Sequence, residues 1–98
     1  MIDAAELIDN EFLRQFELKV NEDLAKIEYS LQERKIFLTK LIVPEPVNND
    51  VFVEDFLKLV LENIQDRNIS VVPTSPPIAK FIRKNRRYKS MLPVGVRI

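Results

Sequence analysis

The stretch KIFLTKLIVPEPVNNDVFVEDFLKLVLENIQDRN, from Lys35 to Asn68, decides the fold, because its hydrophobic period changes partway along. Ile36 to Val43 is an apolar, β-branched run interrupted by Thr39 and Lys40, and it predicts a central strand. Pro44 and Pro46 end that strand, since neither ring nitrogen can donate to a ladder. Asn48, Asn49 and Asp50 then supply turn and N-cap side chains, and capping by Asp50 is expected. From Val53 the spacing turns helical, with Val53, Phe56, Leu57, Val60, Leu61 and Ile64 on one face. Glu54 and Asp55 fall in the first turn, where the helix dipole favours negative charge. Asn68 is placed to close the helix in a left-handed conformation. A strand that feeds a helix N-terminus through a short loop is a natural anion site.

Upstream, Met1 to Glu11 settles on no single period and permits a short helix or an edge strand. Phe16, Leu18 and Val20 alternate with Glu17 and Lys19, as in a half-buried strand. After a turn at Asn21 to Asp23, Ala25, Ile27, Tyr29 and Leu31 alternate with polar residues and complete a hairpin. Gln32 to Arg34 link it to the central strand, giving an antiparallel meander. Downstream, Ile69 to Val72 predicts a buried strand parallel to Ile36–Val43 through a right-handed crossover. Ser75 at the N-cap and Pro76 at the first helical position start a second helix with Ile78, Phe81 and Ile82 inward. Tyr88, Met91 and Leu92 tie its end to the core, and the tail VGVRI is either an edge strand or frayed.

With 98 residues, 46% of them apolar, the chain has room for one domain, spanning residues 1–98, and a modest core. It contains no cysteine and no histidine, which removes disulfides, thiolate metal sites and every Ser-His or Cys-His arrangement. No apolar run approaches the ~20 residues needed to span a bilayer, and no signal peptide is expected, so a cytoplasmic location is the default. Net charge is zero but lopsided. Residues 1–66 hold all 15 acids against seven bases, a balance of −8, and residues 67–98 hold eight bases and no acid. Most of that positive charge lies in KFIRKNRRYK, from Lys80 to Lys89. Such a cluster can attract phosphate, neutralise the acidic part of the same fold, or form a solvated helix face.

The order β-β-β-α-β-α, with a turn of diphosphate-binding type before the first long helix, resembles the GNAT N-acetyltransferase superfamily, and in particular its short single-domain members. The resemblance covers about Ile8 to Leu92. It rests on RQFELKV at Arg14 to Val20, AKIEYSL at Ala25 to Leu31, IVPE at Ile42 to Glu45, and NISVVPTSPPIAKFIRKNRRY at Asn68 to Tyr88. It implies an α+β fold: a mixed, twisted sheet with an antiparallel N-terminal meander, a β-α-β crossover and a C-terminal helix. It also implies coenzyme A or acetyl-CoA as cofactor, held by Val43 and the turn Asn48, Asn49, Asp50, Val51, Phe52 and Val53. Lys80, Arg83 or Arg86 would reach its phosphates.

Against the family pattern, the glycines of that turn have become Asn49, Val51 and Val53, and its basic residue has become Asn48. Glycine there lets backbone amides approach the diphosphate, whereas branched side chains and the Asp50 carboxylate oppose it. The usual His-Thr before Val-Pro reads Lys40-Leu41, and the usual cysteine after the last strand is matched by Ser75. The candidate catalytic groups are Glu45, as a general base for an amine, and Ser75, as an acyl acceptor. Each also has a plain structural role, as an exposed turn residue and a helix cap.

Three functions compete. The expected one is a divergent relative that binds coenzyme A weakly or not at all and acts as an interaction module for a protein partner. The alternative is an active acetyltransferase, in which a bound amine attacks the thioester directly. Nucleic-acid binding through Lys80 to Lys89, with Tyr88 stacking on a base, ranks last because the protein is neutral overall. No membrane association is expected.

Overall fold

A computed structural model describes residues 6–96. Five strands form one sheet in sequence order: β1 (Ile8–Asn10), β2 (Gln15–Val20), β3 (Asp23–Gln32), β4 (Lys35–Ile42) and β5 (Ser70–Pro73). The first four pair antiparallel, and β5 runs parallel to β4. Between them lies α1 (Asp50–Asp66), and after β5 comes α2 (Pro76–Lys84). The meander, the β-α-β unit and the C-terminal helix expected from the sequence are therefore all present. The ambiguous N-terminus resolves into an edge strand, β1, while Met1 to Ala5 lie outside the described residues.

One face of the sheet is buried. Phe16, Leu18, Ala25, Ile27, Tyr29, Ile36, Leu38 and Val71 all turn inward, where they meet Phe56, Leu57, Val60, Leu61 and Ile64 of α1. Ile78, Phe81 and Ile82 of α2 join the same cluster, as do Tyr88 and Met91. Each fully buried Leu, Ile or Phe contributes roughly 1.5–3 kcal/mol of apolar transfer free energy, so this single layer dominates stability. The other face carries Glu17, Lys26, Glu28 and Lys40 in cross-strand pairs, Glu17 opposite Lys26 and Glu28 opposite Lys40.

Sequence reasoning missed a β-bulge. The β3–β4 register shifts between Glu28 and Tyr29: Glu28 faces Lys40 while Tyr29 faces Leu38, leaving Thr39 as the extra residue. The Thr39 hydroxyl donates to the Glu28 carbonyl at 3.1 Å. Thr39 and Lys40 are thus both exposed, and Leu38 and Leu41 both turn toward the core.

The edge strand is tied down by polar contacts. The Tyr29 hydroxyl donates to Asp9 Oδ1 at 2.5 Å, and Arg67, just past α1, donates to Asp9 Oδ2 at 2.6 Å. The Arg67 guanidinium also lies 5.6 Å from the Phe16 ring centroid. Asn68 has φ 61°, the left-handed value expected of it, with its N–H donating to the Gln65 carbonyl at 3.1 Å.

Several boundaries differ from expectation. β4 ends at Ile42, not Val43, and a 3-10 turn, Glu45–Val47, intervenes before α1. The basic cluster does not lie on one helix. α2 stops at Lys84 because Asn85 caps it, its N–H and its Nδ2 both donating to the Phe81 carbonyl. A separate 3-10 helix, Arg86–Met91, carries the remainder. The tail forms a turn at Val94 and Gly95 (φ 90°) and no strand among the described residues; Arg97 and Ile98 lie outside them.

Candidate functional site

The parallel strands part at Leu38. Its carbonyl accepts the N–H of Thr74 at 3.1 Å, the N–H of Ser75 at 3.2 Å and the Thr74 hydroxyl at 3.2 Å. Beyond this point β4 continues through Thr39, Lys40, Leu41 and Ile42 with β3 alone, while the chain after β5 turns into α2. A fork results, and among the described residues β4 makes no main-chain pairing on the β5 side beyond Leu38. The bulge at Thr39 sits at its base.

The N-terminus of α1 follows directly. Asn49, not Asp50, is the cap, with φ −139° and ψ 161° and its Oδ1 accepting the Phe52 N–H at 2.9 Å. The turn Glu45–Val47 sets this, since the Asn49 N–H donates back to the Val47 carbonyl at 2.9 Å and fixes Asn49 in extended backbone. Its own carbonyl accepts the Val53 N–H at 3.0 Å. Asp50 is consequently the first helical residue. Its side chain, with Val53, Glu54 and Leu57, lines one wall of a groove of about 210 Å³ whose other wall is Pro77, Lys80, Phe81 and Lys84 of α2. The groove mixes apolar lining with two acidic residues on the α1 side and two lysines on the α2 side.

The sequence-derived site residues are therefore only partly gathered. Asp50 and Val53 line the groove. Val51 is 72% exposed and stands outside it. Phe52 is half-buried, its ring centroid 6.0 Å from that of Phe56, so it serves packing. Asn48 closes the 3-10 turn through its N–H to the Glu45 carbonyl at 3.1 Å, and Val43 is half-buried beyond the end of β4. Arg83 is exposed and does not line the groove; Lys80 and Lys84, one turn apart, do. Glu45 is exposed on the turn. Ser75 occupies the N-cap position of α2, but its side chain makes no capping bond and is 5% exposed. No hydrogen bond joins Glu45 to Ser75 among the described residues.

Sequence reasoning also missed Lys84 and the bulge. The signal for the bulge was present in FLTKLI: alternation fails where two polar residues stand together between inward-facing leucines. Tyr88 is 1% exposed and its ring stacks on Phe81 with centroids 5.8 Å apart, so it offers no face to a base. Burial pushes both phenols up, and at Tyr29 the hydrogen bond to Asp9 adds to the effect.

A second cavity, about 270 Å³, lies at the far end of α1 and is lined by uncharged residues including Gln65, Asn68, Ser70 and Ser90. Among the described residues there is no cluster of three or more carboxylates suited to a metal ion, and no helix is long and apolar enough to cross a membrane.

Comparison with known proteins bears on this architecture. Residues 15–91 match the family model for GCN5-related N-acetyltransferases. The NMR solution structure of a GCN5-like protein from Staphylococcus aureus superposes with a TM-score of 0.69 at 18% identity, covering 98% of this chain and 94% of that one. At that identity the likeness concerns the fold. The search of curated proteins found no match.

Proposed function

The chain belongs to the GCN5-related N-acetyltransferase family, and from that premise we propose that it is a divergent member that binds coenzyme A weakly or not at all and serves as an interaction module. One observation carries this: the α1 N-terminus, where the coenzyme's diphosphate would be expected, is already engaged and faces acid. Asn49 Oδ1 takes the Phe52 N–H, and the Asp50 and Glu54 side chains line the adjoining groove. At ~4 Å, two like charges repel by about 1–4 kcal/mol between bulk-water and near-surface dielectrics. The amides of the first turn carry side chains at every position from Asn49 to Val53, where close anion approach favours glycine. These residues do not fit the diphosphate, and no catalytic step is derived through the coenzyme. A fold alone confers no activity.

A second function, active acetyl transfer, draws support from the fork, with its unpaired β4 edge at Thr39 to Ile42, and from Lys80 and Lys84 on the groove. Calorimetric titration with coenzyme A separates the two. The native chain should give no saturable heat at about millimolar ligand, and Asp50→Gly with Val51→Gly should raise affinity, circular dichroism confirming that α1 survives the glycines. Micromolar binding by the native chain, or a loss of affinity in the double variant, would favour the acetyltransferase.

A further inference from the structure

Resting on the proposed reading of this chain as an interaction module, we propose that the outer surface of α2 and the following 3-10 helix docks an acidic peptide segment carrying an apolar side chain. Lys80, Arg83, Lys84, Arg86, Arg87 and Lys89 are all exposed there. Among the described residues, only Arg87 has an acid within ion-pair reach, Glu62 at 3.9 Å. The other five cations have no such partner, and no acid occurs anywhere in residues 67–98. Cations at i, i+3 and i+4 of one helix repel each other, and here that repulsion is relieved by no ion pair within the helix. An anionic ligand removes that repulsion.

The shape and borders of the patch select the kind of anion. Next to Lys80 and Lys84 the groove presents half-buried Val53 and exposed Pro77 over the buried Leu57 and Phe81, with about 210 Å³ of space, enough for one aliphatic side chain. Asp50 and Glu54 form its opposite wall, so a docked segment must keep its carboxylates on the α2 side. That gives the site a polarity a peptide can satisfy. A nucleic-acid backbone is a poorer match: it carries charge along its whole length and would lie over Asp50, Glu54 and Glu62 as well. Tyr88 is buried and cannot stack on a base. A bilayer is also a poorer match, because α2 and the 3-10 helix expose no large apolar side chain to enter it.

Fluorescence anisotropy with a labelled peptide of about twelve residues, repeating Glu-Glu-Leu, tests the proposal. Saturable binding that weakens as salt rises is expected, with several-fold weaker binding of an all-glutamate peptide of equal length. Lys80→Glu with Lys84→Glu should weaken binding by about tenfold, since two attractions become two repulsions. Lys26→Glu with Lys40→Glu, on the open sheet face, should leave it within about twofold. If the first double variant fails to fold, Lys80→Gln with Lys84→Gln replaces it, with a loss of about threefold. The proposal is overturned by absence of peptide binding, by equal affinity in the two charge-reversed variants, or by tighter binding of single-stranded DNA or phosphatidylserine vesicles. Coenzyme A is titrated into the same preparation. Its binding would retire the proposed function, whereas silence from both coenzyme and peptide overturns the docking surface alone.

Discussion

Alkaline pH should destabilise this protein earlier than its composition implies, because both of its tyrosines are buried. Tyr29 is 4% exposed and donates to Asp9 at 2.5 Å; Tyr88 is 1% exposed. Ionising Tyr29 in place would set a phenolate against a carboxylate, with Arg67 alone to offset it. Its folded pKa is accordingly raised from 10.0, first by burial and then by the Asp9 hydrogen bond, and that of Tyr88 is raised mainly by burial. The sign follows from linkage. Below about pH 10 the phenols are protonated in both states, and the native state keeps its full stability. Above it the unfolded chain releases protons that the native chain retains, so stability falls as pH rises. Each tyrosine contributes a slope of about 1.4 kcal/mol per pH unit once the unfolded phenol is mostly ionised, so the pair together approach about 2.7. For a domain of ordinary stability, about 5–15 kcal/mol, that is a large fraction within one or two pH units. Urea denaturation followed by circular dichroism between about pH 8 and pH 11.5 measures the slope, and Tyr29→Phe should remove roughly half of it. The chain has two tyrosines and no tryptophan, so near-ultraviolet absorbance reports phenolate formation cleanly. Stability flat across this range, or both phenolates appearing near pH 10 in the folded protein, would refute the reasoning.

The two helix starts make a paired prediction: Asn49→Ala should cost about 1 kcal/mol, because its Oδ1 holds the Phe52 N–H, while Ser75→Ala should cost under about 0.5, because Ser75 forms no capping bond. Thermal or urea melts of the two variants compare them directly, and equal losses would contradict the assignment of the caps. Deleting Thr39 should leave a folded protein that loses no more than about 2 kcal/mol, since removing the extra residue keeps Leu38 and Leu41 facing the core; an unfolded product would mean the bulge is misassigned.

Where the sequence carried a period, it was enough. Of the α1 residues spaced for one face, Phe56, Leu57, Val60, Leu61 and Ile64 are buried and Val53, at the groove, is half-buried. Asn68 took its left-handed conformation, and the β-branched run near Ile69 became the parallel strand β5. The site was less legible, for local and tertiary reasons. Asn49 and Asp50 are equally good caps by residue type; the choice fell to the backbone of the Glu45–Val47 turn, which no hydrophobic pattern announces. Arg83 and Lys84 are adjacent in sequence, yet only Lys84 reaches the groove, a fact set by how α2 lies against α1. Tyr88 sits in the basic run, but the end of α2 at Asn85 turns it inward.

The fork at Leu38 has one further consequence. Any attempt to zip the two prongs closed past Ser75 would call on Pro76 and Pro77, whose nitrogens bear no hydrogen. The two prolines, at the start of α2, therefore oppose closure of the fork by removing the donors it would need.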